Sequence, residues 1–137
     1  MIRQGKQAFD DAMALRQEVF VDEQGFVDEF DAFDAIAYHV TLYKEAVCVG
    51  VGRVYQDSDG SFHLGRIAIK KEERHKGYGR IIMDELEQLA RRQGAKKLAL
   101  SSQVQALKFY ERCGYQAVGP RHMEQHCPHQ NMIKLLD

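Results

Sequence analysis

Residues 67–80, IAIKKEERHKGYGR, join the end of an apolar strand to the start of a helix through a short basic loop with two glycines. The first backbone N–H groups of a helix have no partner within the helix, and the helix dipole favours anions at that end. Glycines at positions 77 and 79 let a ligand approach the backbone closely. The stretch therefore predicts a binding site for a pyrophosphate group.

This loop differs from the two common phosphate-binding motifs. No third glycine follows Gly79 at the spacing of the dinucleotide fingerprint, and the glycine spacing does not match a Walker loop. A strand-to-helix turn that contains glycine but binds no ligand is the alternative interpretation.

Apolar periodicity on both sides of the loop predicts the other helices and strands. The DSDG sequence at 57–60 is a turn signal, so the strands before and after it should pair antiparallel. Helices are predicted at Phe9–Phe20, Tyr78–Arg92 and Gln105–Arg112, with an acidic loop or short helix at Val21–Ala37. Strands are predicted at Tyr38–Tyr43, Val47–Tyr55, Ser61–Ile69, Lys97–Ser101, Tyr115–Val118 and Met132–Leu136.

This order of elements predicts an α+β fold with three layers, α/β/α. Its sheet is mixed and mostly antiparallel, with a central strand–helix–strand crossover. We expect residues 1–137 to form a single domain, because the length suits one hydrophobic core and the chain has no repeat or linker.

Bulk composition excludes several functional classes. The chain has 19 basic and 20 acidic residues, a net charge of −1 that gives no reason to expect a nucleic-acid partner. It has no apolar run of about 18 residues and no apolar signal region, so neither a membrane span nor secretion is expected. Cys48, Cys113 and Cys127 form no CxxC motif and are interpreted as reduced thiols, which predicts a cytoplasmic protein.

Two motifs give the chain a family resemblance. The sequence RHKGYG at 74–79 matches the Arg/Gln-x-x-Gly-x-Gly/Ala signature of the GNAT superfamily of N-acetyltransferases, and it follows a strand as in that family. The sequence ALKFYERCGY at 106–115 resembles the second signature of the family, a helix with Phe-Tyr followed by a Gly-aromatic turn. RQEVFVDEQ at 16–24 and CPH at 127–129 resemble small bacterial members.

The resemblance implies acetyl-CoA as cosubstrate and no metal. In the family, splayed strands hold the pantetheine arm and the glycine loop holds the pyrophosphate. By that resemblance the arm lies along residues 67–69 and the phosphates lie at residues 74–80. The candidate cofactor-binding residues are Ile67, Ala68, Ile69, Arg74, His75, Lys76, Gly77, Tyr78, Gly79, Arg80 and Gln103.

The implied chemistry is direct attack of an amine on the thioester, which requires a proton for the leaving sulfur and a base for the ammonium. Tyr110 matches the tyrosine that protonates the sulfur in the family, with a core aromatic residue as the alternative. His63 occupies the position where several members carry a catalytic glutamate. Free histidine titrates at about pH 6.5, which suits a base, although His63 is equally interpretable as an exposed strand residue.

The acceptor is expected between the acidic N-terminal segment and the C-terminal region. Glu23, Asp34 and His39 are candidates for binding the amine or for acting as its base, and His129 is expected on the opposite wall. His122, His126, Cys127 and His129 could also be interpreted as metal ligands. Pro128 argues against a helical ligand set, so this segment is predicted to be a loop that lines the acceptor pocket without a metal.

Two other functions remain open from the sequence: a non-catalytic acyl-CoA-binding module and an acyltransferase similar to acyl-homoserine-lactone synthases. The chain is shorter than those synthases usually are. We expect a small-molecule amine as the substrate, with an aminosugar, a polyamine, an amino acid or a peptide N-terminus all open. A homodimer is also left open.

Overall fold

The structure, a computed structural model, describes residues 2–3 and 6–137, with side chains at residue 2 and from residue 9 onward. Its strands form one sheet in the order β1-β2-β3-β4-β5-β8-β6, with β7 paired to β8. The strands are β1 (Ile2–Arg3), β2 (Tyr38–Lys44), β3 (Val47–Gln56), β4 (Phe62–Ile69), β5 (Lys97–Gln103), β6 (Gln116–Ala117), β7 (His122–Glu124) and β8 (Cys127–Leu135). The helices are α1 (Lys6–Arg16), α2 (Tyr78–Arg92) and α3 (Leu107–Arg112).

The sheet is covered by helices on both faces. β4 and β5 are parallel and are connected by α2, whereas the other paired strands are antiparallel. On one face Ala12 and Leu15 of α1 pack against Val51 and Ala68, and on the other α2 and α3 pack over the larger apolar core. The predicted three-layer α+β fold is therefore confirmed. Within the described ranges, no helix is long and apolar enough to cross a membrane.

Glycine at position 52 lets α2 lie directly on β3. A Cβ atom there would be 2.7 Å from side-chain carbons of both Ile82 and Leu86. The pairing of β3 with β4 also shifts register between Val51 and Arg53. The close contact and the bulge both occur at this point.

The first predicted helix is interrupted. The α-helical hydrogen bonding of α1 ends at Arg16, and a π-helical segment follows at Gln17–Glu23. The predicted loop or short helix after it is partly correct, because a 3₁₀ turn forms at Ala32–Ala35. π-helical segments are often found at functional sites, since they redirect side chains that a regular helix would hold in line.

The segment predicted as a loop at 122–129 is instead a β-hairpin, so that prediction is wrong. β7 and β8 pair with His122 opposite His129 and Glu124 opposite Cys127. Pro128 lies within β8 opposite Met123, at the outer end of the sheet, where loss of one backbone donor is tolerated. The last strand therefore begins five residues earlier than predicted (Cys127 rather than Met132).

A buried charge network fastens the segment between α1 and β2 onto the sheet. Arg16 donates hydrogen bonds to Glu29 at 3.0 Å and to Asp34 at 2.7 Å. Arg53 of β3 donates to Asp31 at 2.7 Å and to Asp34 at 2.8 Å. Since the side chains of Arg16 and Arg53 are only 1% and 4% exposed, they depend on these carboxylates for the solvation that water would otherwise supply.

Arg66 of β4 completes the network through Glu29 at 2.8 Å and Asp31 at 3.1 Å. Three arginines thus face three carboxylates, and the charges balance. A segment with little regular structure of its own is held against β3 and β4 by these contacts.

The two most buried carboxylates of the network titrate in opposite directions. Burial by itself would raise the pKa of Asp34, but hydrogen bonds and positive charge from Arg16 and Arg53 lower it from 3.8 to about 2. At Glu29 burial dominates, and its pKa is raised despite the arginines. A carboxyl group with a lowered folded-state pKa stabilises the fold at neutral pH, and this contribution is lost as the pH falls from about 4 toward 2.

We predict that Asp34→Asn lowers the free energy of unfolding at pH 7 by about 3–5 kcal/mol, because it leaves two buried arginines short of a negative charge. Glu29→Gln is the matched comparison and should cost less, since burial already disfavours the charge on Glu29. Urea unfolding followed by circular dichroism measures both.

Urea unfolding at lower pH tests whether the negative charge on Asp34 is what stabilises the fold. The stability difference between the wild type and Asp34→Asn should shrink as the pH falls from about 4 to about 2. Two results together would contradict the assignment of Asp34 as the stabilising ion. Asp34→Asn and Glu29→Gln would lower the free energy of unfolding equally, and the effect of Asp34→Asn would not change with pH.

Candidate active site

The site is built where two parallel strands part. β4 and β5 are paired only at Phe62–Leu98 and His63–Ala99, and no pairing continues beyond these positions. Arg66 in β4 has a positive φ of 53°, close to the register shift between β3 and β4. Bulges of this kind bend a strand away from its neighbour. The backbone of β4 after His63 therefore has a free edge facing the gap.

A cavity of about 1160 Å³ follows this gap. It is lined by strand residues of both β4 and β5 and by the start of α2. Ten of the eleven predicted cofactor-binding residues line the cavity, and Lys76 is the exception: Ile67, Ala68, Ile69, Arg74, His75, Gly77, Tyr78, Gly79, Arg80 and Gln103.

The start of α2 is open toward the cavity. Gly77 precedes the helix with φ of 84°, a left-handed conformation that glycine adopts without strain, and no side chain caps the helix there. A Cβ at Gly77 would meet nothing within 4 Å. The unpaired N–H groups of this 15-residue helix therefore face open space, as an anion site requires.

The basic side chains of this loop are held by exposed ion pairs. Arg74 forms a two-pronged pair with Glu23, both contacts at 2.7 Å, and its Nε donates to the Ile69 carbonyl at 3.0 Å. Arg80 contacts Asp84 at 3.3 Å. Exposed pairs of this kind contribute little stability, so they can be exchanged for contacts to phosphate.

Tyr110 on α3 lines the same cavity. Its ring packs edge-on against Phe109 at 5.0 Å and against Tyr115 at 6.2 Å between centroids. Removal from water raises the pKa of Tyr110 above its usual value, so the phenol keeps its proton at neutral pH. The position provides a hydroxyl donor at the cavity wall.

His63 also lines the cavity, at the point where β4 and β5 separate. Its Nε2 lies 3.2 Å from Asp57, and its ring stacks on Tyr55 at 5.5 Å. Tyr55 in turn stacks on Phe33 at 4.3 Å. His63 is half-buried in an aromatic stack and is not the freely exposed strand residue that was the alternative from the sequence.

Three of the four predicted acceptor residues lie outside the cavity lining. Glu23 pairs with Arg74, and Asp34 belongs to the buried charge network. His39 is buried and its Nε2 is 2.9 Å from the Asp34 carbonyl. His129 does line the cavity, as predicted.

Sequence reasoning missed a polar cluster beside His129. Glu124 and Ser101 line the cavity with it, and the carboxylate of Glu124 accepts a short hydrogen bond from Ser101. His122 Nε2 lies 2.9 Å from the same carboxylate. The alternation His122-Met123-Glu124 is a strand signal, but three residues are too few to distinguish it from a loop.

Metal ligation is not evident in the described residues. Among side chains at residue 2 and residues 9–137, no three His, Cys, Asp or Glu groups are placed to hold one ion. A reaction without a metal stays a prediction.

Comparison with known proteins agrees with this geometry. Solved structures with the same fold include a Lactobacillus plantarum protein provisionally described as an N-acetyltransferase, with a TM-score of 0.91, 29% identity, and coverage of 99% of this chain and 97% of that one. An acyl-CoA N-acyltransferase from Pseudomonas aeruginosa has a TM-score of 0.86 at 23% identity, with coverage of 98% and 97%, and this likeness concerns the fold alone.

Sequence relatives extend the comparison. The N-acetyltransferase YjcF of Bacillus subtilis (strain 168), itself uncharacterized, is 34% identical, and the match covers 98% of this chain and 97% of the relative. A second protein of that strain, provisionally named an acetyltransferase, is 38% identical over 90% of this chain and 86% of its own length. The family model of the acetyltransferase (GNAT) domain matches residues 6–136, so this chain belongs to the GNAT acetyltransferase family.

Proposed function

We propose that this protein transfers the acetyl group of acetyl-CoA to a primary amine of a small molecule by direct attack. Membership of the GNAT family supports acyl-CoA-dependent acetyl transfer in general. The observation that carries the proposal is the gap between β4 and β5, which leads from the open start of α2 to the cavity wall that bears Tyr110.

The acyl donor fits this gap as a missing strand would. The free edge of β4 at Ile67 and Ile69 offers backbone donors and acceptors to the amide groups of the pantetheine arm. Gly77 and Gly79 lie where the pyrophosphate would meet the N–H groups of α2. Gln103, on β5, borders the gap from the other side.

The reaction needs two proton transfers at different places. The acceptor ammonium loses one proton, its nitrogen attacks the thioester carbonyl, and the C–S bond breaks as the tetrahedral intermediate collapses. Tyr110 donates its hydroxyl proton to the leaving thiolate. Because the raised pKa makes Tyr110 a weak acid, the second proton of the attacking nitrogen must restore the phenol as the thiol forms.

Two carboxylates that the sequence suggested for binding the amine, Asp34 and Glu23, are already engaged in ion pairs. Asp34 is paired with Arg16 and Arg53, so it has no free charge with which to attract an amine. Glu23 lies outside the cavity lining, beside Arg74 at the proposed phosphate site. The amine must therefore be received by other residues of the cavity.

We predict that Gly77→Asp weakens acetyl-CoA binding at least 10-fold more than Gly77→Asn, measured by isothermal titration calorimetry. The two side chains have nearly the same shape, and both tolerate the left-handed conformation better than most residues. They differ by one negative charge at the proposed pyrophosphate position. Equal affinities of the two variants would place the pyrophosphate elsewhere.

We predict that Tyr110→Phe lowers kcat about 10²–10⁴-fold, the usual range for general acid catalysis, with little change in acetyl-CoA affinity. Tyr115→Phe is the matched control, because the buried Tyr115 hydroxyl has no hydrogen-bond partner among the described residues and its removal should be tolerated. Thiol release from acetyl-CoA measures both variants. Equal rates for the two variants would remove Tyr110 from the mechanism.

A further inference from the structure

The β7–β8 hairpin borders the cavity, and its tip is fixed to the segment before β2. The side-chain amide of Gln125 accepts a hydrogen bond from the Val27 backbone N–H at 2.8 Å and donates to the Val27 carbonyl at 2.6 Å. Gln125 itself has φ of 55°, which marks the tight turn of the hairpin. The hairpin and the segment held by the buried charge network are thus joined across the cavity.

The hairpin also carries a carboxylate and a histidine whose ring orientation is fixed by a hydrogen bond. His129 is 6% exposed, and its Nδ1 donates to the Cys127 carbonyl at 3.0 Å, which leaves Nε2 as the acceptor nitrogen of the neutral ring. That Nε2 lies 3.8 Å from Glu124. The other oxygen of Glu124 is held by His122 at 2.9 Å and by Ser101.

Glu124 carries a negative charge that no arginine or lysine neutralises among the described contacts. Burial would raise the pKa of Glu124, but hydrogen bonds from Ser101 and His122, together with the positive charge of His129 and His122 when protonated, lower it. Among the other carboxylates that line the cavity, Glu29 and Asp31 are matched by arginines and Glu73 by lysines, while Asp28 is exposed to solvent.

We propose that Glu124 binds the ammonium group of the acceptor and that His129 takes its proton before attack. This inference rests on the proposed function and deepens it by naming the acceptor side of the reaction and the class of acceptor, an alkylamine that is protonated at neutral pH. His122, which is half-exposed at the edge of the cluster, donates to the same carboxylate and so holds Glu124 in place.

Strand register places this pair on the opposite face of the sheet from Tyr110. His129 is directly opposite Gln103, so both side chains project from the same face, and Gln103 contacts Gln24 of the N-terminal segment. Tyr110 packs against the α2-side core. The thiolate is therefore protonated from one face of the split sheet while the ammonium is deprotonated on the other.

The step balances without a further reactant. The R–NH₃⁺ group transfers one proton to His129 Nε2, and the imidazolium that forms faces the Glu124 carboxylate. The neutral nitrogen then attacks the thioester carbonyl, and its second proton goes to the departing thiolate by way of Tyr110. The imidazolium of His129 releases its proton to solvent in the cavity that it lines.

His63 is the competing base, and its geometry suits the role less well. One of its ring nitrogens lies 3.2 Å from Asp57, next to the exposed β3–β4 turn, and its ring is stacked on Tyr55. No carboxylate beside His63 faces the cavity in the way that Glu124 does.

Steady-state kinetics of four variants test the inference. The acceptor is whichever of spermidine, glucosamine, lysine and an alanine-terminated peptide gives the highest wild-type rate. Glu124→Gln should raise the acceptor KM at least 10-fold and change kcat less. His129→Gln should lower kcat about 10²-fold at pH 7. The loss should shrink to a few-fold at the pH where half of the acceptor has already lost its proton, about 8 for a peptide N-terminus and about 10 for an alkylamine such as spermidine.

The other two variants are His126→Gln and His63→Gln. His126 lies on the same hairpin but contacts Phe26 at 4.8 Å between ring centroids instead of Glu124, so its replacement should leave the rate and the pH profile unchanged. A loss in His129→Gln that is the same at every pH, or a pH-dependent loss in His63→Gln in its place, would overturn the inference.

The same experiments distinguish failure of the proposed function from failure of this inference alone. A wild-type protein that binds acetyl-CoA but acetylates none of the four amines would contradict the small-amine acceptor, and this inference with it. An active wild type with normal kinetics in both Glu124→Gln and His129→Gln would contradict the inference alone.

Discussion

The separation of β4 from β5 creates the cavity along which the proposed functional groups lie. Two pairs of residues hold the strands together at one end, and a bulge at Arg66 turns β4 away beyond them. A sheet normally satisfies its own backbone groups and separates the layers on its two faces. Here the gap leaves one edge of β4 unpaired inside the protein and connects the two faces. An extended ligand with amide groups can complete such an edge, and the gap lets groups on opposite faces of the sheet reach one ligand.

The charged groups near the gap are of two kinds: those paired with an opposite charge and those that are not. The buried network of Arg16, Arg53 and Arg66 with three carboxylates is neutral and holds the N-terminal segment in place. Because its charges are already paired with one another, we assign this network a structural role and no part in binding the substrates. The open start of α2 and the carboxylate of Glu124 are not balanced in this way. They present opposite signs to one cavity, which suits a substrate pair made of an anionic donor and a cationic acceptor.

Local sequence patterns predicted the parts of the site that depend on local structure. The α2 helix was predicted with its observed limits, since its apolar spacing and the glycine turn before it are encoded within 15 residues. The role of Asp34 could not be predicted, because its partners Arg16 and Arg53 are 18 and 19 positions away and only the fold brings them together. Glu124 was missed for a similar reason. The hairpin that carries it is defined by pairing across the sheet, and polar residues at the start of β8 hide the strand pattern.

In the complex that we propose, the acyl donor occupies the gap between β4 and β5 with its pyrophosphate at the start of α2. Two-dimensional ¹H–¹⁵N NMR of the protein titrated with acetyl-CoA tests this most directly, because it reports each backbone amide separately. We expect the largest shifts at the amides of Ile67, Ile69, Gly77 and Gly79, with saturation at a common concentration. Unchanged amides at these four positions, with saturable shifts elsewhere in the chain, would contradict it.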